Sequence, residues 1–159
     1  MNNRIKKFLS LLNALQRENV NYVLIGGFAV VLHGSSRFTE DIVLFVRNTE
    51  NNINNLRKAL SSIFNDESIN EITSSELSQY AVIRYGAPDE ILIDIIANLG
   101  ETFSYDDIVS EEIEVEGHKV RIATLESLYK LKEKTYRAID QEDLFFIAQK
   151  IKEKHSKDD

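Results

Sequence analysis

The chain contains no cysteine among its 159 residues, which excludes disulfide bonds, thiolate metal sites and a cysteine nucleophile. It also lacks a hydrophobic run that could cross a membrane. The longest run, Tyr22 to Leu32, contains two glycines and is far shorter than the roughly 20 residues that a spanning helix needs. The N-terminus starts basic but continues as an amphipathic pattern, unlike a signal peptide. These features predict a cytoplasmic protein without membrane contacts.

Positive charge is scarce as well, with 19 Lys and Arg against 26 Asp and Glu and a net charge of -7. A broad nucleic-acid surface is normally basic, so extended duplex DNA binding is not expected, although a local basic pocket remains compatible with this balance. The length suits one domain with its own core. We find no repeat or linker and predict a single domain over 1–159, with a core of about 20–148 and a charged, frayed tail over 152–159.

Hydrophobic spacing predicts most of the secondary structure. In the first half the predicted elements are a helix over 3–18, a buried strand over 22–25, a short helix over 28–32 ended by Gly34, a buried strand over 41–46 and a helix capped by Asn48 or Thr49. Residues 65–79 lack a clear period and are predicted as a loop with room for one helical turn. The overall pattern indicates an α+β fold, a mixed sheet flanked by helices.

In the second half, the predicted elements are strands over 80–85 and 90–96 joined by a turn at 86–89, a hairpin of 111–116 with 119–122, a helix opened by Thr124 and a last helix opened by Asp140. The turn contains the only proline of the chain, which therefore falls outside any predicted element. Asp140 followed by Asp143 is similar to a helix-capping box with a shorter acid.

Two features of this sequence pattern are typical of a functional site. Gly26 and Gly27 lie between a strand and a helix, where a bare backbone can approach an anion such as phosphate; alone, they equally suit a structural turn. Asp41 heads one apolar strand and Asp94 interrupts another. A carboxylate inside so apolar a strand is costly unless it meets a metal, a cation or hydrogen-bond donors, so an ion pair is an alternative to a site role.

These residues resemble the nucleotidyltransferase superfamily that includes DNA polymerase β, and in particular small prokaryotic members related to abortive-infection and toxin–antitoxin nucleotidyltransferases. The superfamily pattern is a hydrophobic residue and a glycine pair, then Asp, a hydrophobic residue and an acid, then a third acid on a later strand. Ile25-Gly26-Gly27, Asp41 and Ile93-Asp94-Ile95 match it. Further matches to the small members are His33-Gly34, Arg37 and Thr39, and then Lys132, Arg137, Asp140 and Asp143. The resemblance covers roughly residues 20–148.

The resemblance implies a polymerase-β-like fold and a mechanism in which three carboxylates hold two Mg²⁺ ions and a nucleoside monophosphate passes from an NTP to a hydroxyl. Asp41 and Asp94 would be the catalytic metal ligands, and Gly26 and Gly27 the phosphate turn. The resemblance also implies Arg37 and Lys132 as the cations that bind the triphosphate. The hydroxyl acceptor would be a small molecule, a protein or RNA, and a cognate toxin or antitoxin would be a further partner.

Val43 departs from this pattern, because the superfamily places its second acid there. Valine offers no oxygen to Mg²⁺, and Glu40 points to the other face if it belongs to the strand. Two hypotheses follow. The chain is a nucleotidyltransferase with a weakened metal site, or it is a catalytically impaired homologue that binds a nucleotide or a partner protein.

Other polar residues have simpler interpretations. His33 is more often a structural residue at a helix end than a ligand, and no second histidine lies near enough in sequence to favour zinc. Arg37 suits an ion pair as well as a phosphate contact, and Lys132 suits a solvated helix face as well as a site. Ser35 and Ser36 lack a triad pattern, and the glycine pair lacks the third glycine of a dinucleotide fingerprint.

One geometric prediction follows from the assignment of the acids. We expect Asp41 and Asp94 on neighbouring strands with their side chains on one face. Carboxylates more than about 10 Å apart would be outside the reach of one metal cluster.

Overall fold

A mixed β-sheet is the centre of the computed structural model, which describes residues 3–36, 39, 41–100, 103–133 and 138–158. In that part of the chain the strands are β1 (Tyr22–Ile25), β2 (Asp41–Val46), β3 (Ile83–Ala87), β4 (Ile91–Ile96), β5 (Asn98–Leu99), β6 (Phe103–Ser104), β7 (Ser110–Val115) and β8 (His118–Ala123). The helices are α1 (Asn3–Arg17), α2 (Gly26–Leu32), α3 (Glu50–Ile63), α4 (Ser74–Gln79), α5 (Leu125–Glu133) and α6 (Ala138–Asp158). Short 3₁₀ helices form at Glu67–Glu71, Pro88–Glu90 and Tyr105–Asp107.

The six longer strands pair in the order β3-β4-β2-β1-β8-β7. The pairs β2–β4 and β1–β8 are parallel, while the other three neighbours run antiparallel. β5 and β6 form a separate small hairpin, which the sequence did not predict. The predicted α+β fold with a mixed sheet is confirmed.

Alternation along β2 separates a core face from a site face. Ile42, Leu44 and Val46 are fully buried on one side, while Asp41 and Val43 are half-buried on the other. On α1, apolar residues at helical spacing are buried in the same core, including Phe8, Leu12 and Leu15. The core therefore begins before residue 20. α2 packs against β2 and β1, which places its first turn beside the site face.

Side-chain caps fix several helix starts. Thr49, one of the two residues predicted to cap α3, accepts a hydrogen bond from the Asn52 backbone N–H. Thr124 accepts from the Ser127 backbone N–H one turn into α5. The region 65–79, predicted as a loop with room for one helical turn, forms a 3₁₀ helix and α4, because Asp66 and Thr73 supply N-caps to these short segments.

The last helix differs from the prediction at both ends. It begins at Ala138, so Asp140 does not open it, and it continues to Asp158 through the region predicted as a frayed tail. The charged residues after 151 therefore belong to a helix. None of the helices in the described ranges is both long and apolar enough to span a membrane.

The β3–β4 hairpin has a different turn from the predicted one. The strands end and begin later, and Pro88 opens a 3₁₀ turn over Pro88–Glu90 instead of lying outside any element. With the predicted turn at 86–89, Arg84 would have faced Ile91. The observed turn pairs Arg84 with Asp94, and this shift determines the electrostatics of the site.

Candidate active site

A pocket of about 300 Å³ lies over the site face of the sheet. Its polar lining comes from Asp41, Asp94 and Lys132, and Gly26 and Val43 line it beside them. The remaining wall is apolar and comes from strand residues and α5, namely Ile25, Phe45, Val82, Ile96, Leu99, Leu128 and Leu131. A pocket of this size and composition suits a small-molecule ligand held by a few polar groups.

The two predicted acids converge in this pocket. β2 and β4 are neighbours, and Val43 pairs with Asp94, which places Asp94 on the same face as Val43 and Asp41. Asp94 is 8% exposed and Asp41 is half-buried. The geometric prediction of neighbouring strands and a shared face is confirmed, whereas the catalytic role of the two residues remains a prediction.

Arg84 binds both carboxylates. Its Nε donates to Asp94 Oδ1 at 2.7 Å and its terminal nitrogen donates to Asp94 Oδ2 at 3.0 Å. The same terminal nitrogen lies 3.9 Å from Asp41 Oδ2. The hydrogen bonds to Asp94 raise the pKa of Arg84. One guanidinium thus pairs with both acids, so the two carboxylates face a single positive group.

Sequence reasoning did not identify Arg84. The available signal was the opposite charge of Arg84 and Asp94 on two strands of one hairpin, since opposite charges often face each other across a strand pair. The misplaced turn hid this pair. The alternative considered for Asp94, an ion pair inside an apolar strand, is therefore present in the structure.

Gly26 and Val43 form the contact beside the two acids. Gly26 has φ of +76°, and a Cβ atom placed on it would lie 2.7 Å from Val43 Cγ2. Both the backbone conformation and the close approach of β2 therefore require glycine at this position. The valine occupies the strand position where the superfamily has its second acid, and it packs directly on the glycine turn.

We expect Gly26→Ala to lower the free energy of unfolding by about 2–3 kcal/mol, since it combines a strained φ with overpacking against Val43. Gly100 has φ of +69° but open space around it, so Gly100→Ala isolates the cost of the backbone conformation, about 1 kcal/mol. Gly86 has neither constraint, and Gly86→Ala is expected within about 0.5 kcal/mol of the parent. Urea unfolding of the three variants measures these differences.

The informative result is the ranking of the three losses in free energy of unfolding. If Gly26→Ala destabilises the chain no more than Gly100→Ala does, the contact with Val43 is not tight. A Gly26→Ala, Val43→Ala double variant is expected to recover the overpacking part of the loss and to retain the backbone part.

Lys132 and Asp143 form an ion pair between α5 and α6. The Lys132 Nζ and Asp143 Oδ2 atoms are 2.9 Å apart, and the two residues are 7% and 1% exposed. Two interpretations are therefore wrong: Lys132 is not on a solvated helix face, and Asp143 is not a helix-start residue. Lys132 remains a candidate phosphate contact, since it lines the pocket, but its carboxylate partner already neutralises it.

His33 has a structural role at the end of α2. Its Nε2 hydrogen-bonds the Ala123 carbonyl oxygen at 3.0 Å, which ties the end of α2 to the end of β8. Gly34 follows with φ of +118°, in keeping with the end of a helix. Arg37, Glu40 and Arg137 lie outside the described residues.

The acids present fit one divalent cation better than a two-metal cluster. Mg²⁺ takes oxygen ligands and is commonly held by one or two carboxylates together with substrate phosphates, which Asp41 and Asp94 can provide. Within the described ranges, no group of three or more His, Asp or Glu residues could hold a metal ion. The three-carboxylate arrangement that the resemblance implies is therefore not formed by this part of the chain.

A second pocket, of about 350 Å³, is separate from these residues. It is lined by Tyr22, Tyr105, Glu112 and Arg121 among others, and by none of the predicted site residues. Burial raises the pKa of the Tyr22 hydroxyl, which accepts a hydrogen bond from the Arg121 backbone N–H. This pocket provides an internal comparison for ligand-binding experiments.

The sequence of the chain matches a known family. Residues 4–158 match the family model described as "Nucleotidyl transferase of unknown function (DUF2204)", which covers nearly the whole chain. No curated protein matches the chain significantly.

Solved structures give further matches at low sequence identity. The structure of ANT(2″)-Ia in complex with adenylyl-2″-tobramycin is 14% identical, with a TM-score of 0.58 over 94% of this chain and 90% of that one. The lincomycin-bound lincosamide antibiotic adenylyltransferase LnuA is 15% identical, with a TM-score of 0.59 over 93% and 96%. An antigenic nucleotidyltransferase-like protein from Paracoccidioides brasiliensis is 19% identical, with a TM-score of 0.55 over 91% and 75%. These similarities establish the fold.

Proposed function

The chain belongs to the nucleotidyl transferase family DUF2204, and from this we propose that it transfers a nucleoside monophosphate from an NTP to a hydroxyl acceptor with the help of Mg²⁺. The observation that carries the proposal is the convergence of Asp41 and Asp94 in one pocket beside the Gly26 turn. Two carboxylates from different strands, next to a backbone without a side chain, suit a metal–triphosphate complex.

Each residue has a distinct role in this proposal. Asp41 and Asp94 supply the oxygen ligands, and the bound ion would neutralise phosphate charge during transfer. Gly26 lines the pocket without a side chain, so a triphosphate can approach its backbone. Gly27, the other glycine of the proposed phosphate turn, is buried in the first turn of α2. Lys132 and Arg37 are the proposed cationic contacts of the phosphates. The apolar wall of Phe45, Ile96 and other residues would hold the less polar part of a ligand.

The acceptor is proposed by class. Two structural neighbours are named for the adenylylation of antibiotics or bind an adenylylated one, so small-molecule hydroxyls are the first to test. Protein and RNA hydroxyls follow. A toxin or antitoxin partner rests on the resemblance of the sequence motifs alone.

Calorimetric titration with ATP, CTP, GTP and UTP, each with and without Mg²⁺, tests the first step without knowledge of the acceptor. We expect at least one NTP to bind in a Mg²⁺-dependent manner. Asp41→Asn, which keeps the shape but removes the charge, should weaken this binding at least about 10-fold. Asp106→Asn is the matched control, since Asp106 pairs with Arg47 on the surface and changes the net charge equally.

Transfer itself is measured with α-labelled NTPs and pooled small-molecule, protein and RNA acceptors. Label should appear in an acceptor with the parent and Asp106→Asn chains and fall strongly with Asp41→Asn. Equal NTP affinity of the parent and Asp41→Asn, or undiminished transfer by Asp41→Asn, would disprove the proposed role of this residue.

A binding module without catalysis is the second candidate. Two observations favour it: Val43 occupies the expected position of an acid, and Arg84 already neutralises Asp94. A module that binds nucleotides would bind an NTP and transfer no label, so it differs from the enzyme in the transfer assay alone. A module that binds a partner protein instead would neither bind an NTP nor transfer label.

A further inference from the structure

Arg84 occupies the place where a cation would bridge the two acids. It makes two hydrogen bonds to Asp94 and lies 3.9 Å from Asp41. Paired, planar contacts of this kind between guanidinium and carboxylate are among the stronger hydrogen bonds in proteins. A divalent ion that binds both carboxylates must therefore break them and leave Arg84 beside a second positive charge.

The surroundings of Arg84 allow it to leave this position. It lies on β3, the edge strand of the sheet, and its side chain is 59% exposed, whereas the Asp94 side chain is 11% exposed. Lys132, a cationic residue that lines the pocket, is instead buried against Asp143. Of these two cations, only Arg84 is near the solvent and can turn toward a ligand without disrupting the core.

We propose that Arg84 is the resident counter-ion of the Asp41–Asp94 pair and that it makes divalent metal binding depend on the nucleotide. The inference rests on the proposed function, because it assigns the same carboxylates to the metal. Without a triphosphate, Arg84 holds Asp94 and free Mg²⁺ binds weakly. A metal–triphosphate complex brings its own negative charge, to which the guanidinium can transfer its hydrogen bonds as the metal takes Asp94.

Val43 strengthens this dependence. An acid at that position would give the metal another carboxylate while Arg84 kept Asp94. With valine there, the two predicted ligands in the described part of the site are the acids that Arg84 contacts. Competition between arginine and metal for Asp94 is therefore direct.

Calorimetric titration with Mg²⁺ and with Mn²⁺ in the absence of nucleotide tests the proposal. Arg84→Gln should bind the metal about 10- to 100-fold more tightly than the parent chain, since no charge-assisted hydrogen bonds have to be broken. Arg121→Gln is the matched control: Arg121 lies on another strand, pairs with Glu112 and contributes the same charge. We expect its metal affinity to stay within about 2-fold of the parent.

Thermal unfolding shows whether Arg84→Gln remains folded. An Arg84→Gln chain that folds and binds metal no more tightly than Arg121→Gln overturns the proposal. If Arg84→Gln does not fold, a nonhydrolysable NTP analogue provides the test on the parent chain. The analogue should raise metal affinity at least about 10-fold, and an unchanged affinity overturns the proposal.

Failure of the counter-ion proposal can be distinguished from failure of the proposed transfer activity. Tighter metal binding by Arg84→Gln together with no label transfer would support the resident counter-ion and reject transfer. Label transfer that depends on Asp41, together with unchanged metal affinity in Arg84→Gln, would reject the counter-ion alone.

Discussion

Val43→Asp is expected to raise Mg²⁺-dependent nucleotidyl transfer by about 100-fold, the order of effect that a well-placed charged group has on a phosphoryl or acyl transfer step. Val43 pairs with Asp94 across β2 and β4 and lies on the same face as Asp41. A carboxylate there would complete the pattern of acids that the resemblance implies. Unlike valine, aspartate is not branched at Cβ, so its carboxylate oxygens would lie one bond beyond the positions of the two methyl groups that now pack by Gly26.

Val43→Asn is the matched control, because it has the shape of aspartate without the charge. Initial rates with the α-labelled NTP that binds most tightly compare the three chains, and thermal unfolding monitors folding. We expect Val43→Asn to transfer no faster than the parent. If Val43→Asp is no faster than Val43→Asn, the valine is not what limits metal binding, and the binding-module hypothesis gains support.

Asp143→Ala is expected to lower the free energy of unfolding by about 3–5 kcal/mol, because it leaves the Lys132 ammonium buried without the Asp143 carboxylate. Both residues are almost fully buried and 2.9 Å apart. The double variant Lys132→Met, Asp143→Leu should lose much less, since removing both charges removes the desolvation cost as well. Urea unfolding measures all three chains.

The exposed pair of Arg47 and Asp106 is the control for this experiment. Its atoms are as close, at 2.7 Å, but the side chains are 39% and 71% exposed, so Asp106→Ala should cost less than about 1 kcal/mol. A loss for Asp143→Ala no larger than that of Asp106→Ala would show that the buried pair does not hold α5 and α6 together.

The central strands and the position of the acids were predictable from the sequence. β1, β2 and β4 are short, largely apolar runs, a pattern that local sequence shows directly. An acid at the head of one run and another within a second run could be placed on one face by simple alternation. The helix starts at Thr49 and Thr124 could also be predicted from the local sequence, because a single side chain caps each of them.

The electrostatic partners were not predictable in the same way. The pairing of Arg84 with Asp94 depends on the register of a hairpin, and a shift of the turn by a few residues moves every cross-strand neighbour. The contact between Lys132 and Asp143 depends on how two helices pack, which their own periodicity does not determine. For α4, the N-cap Thr73 was a usable signal that the lack of a hydrophobic period obscured.

A crystal structure of the chain with Mg²⁺ and a nonhydrolysable NTP analogue tests the central claim most directly. The account predicts the triphosphate beside Gly26, a metal ion bound to Asp41 and Asp94, and Arg84 turned from Asp94 toward phosphate oxygens. Nucleotide bound instead in the pocket of Tyr22 and Arg121, with the Arg84–Asp94 contact intact, would contradict it.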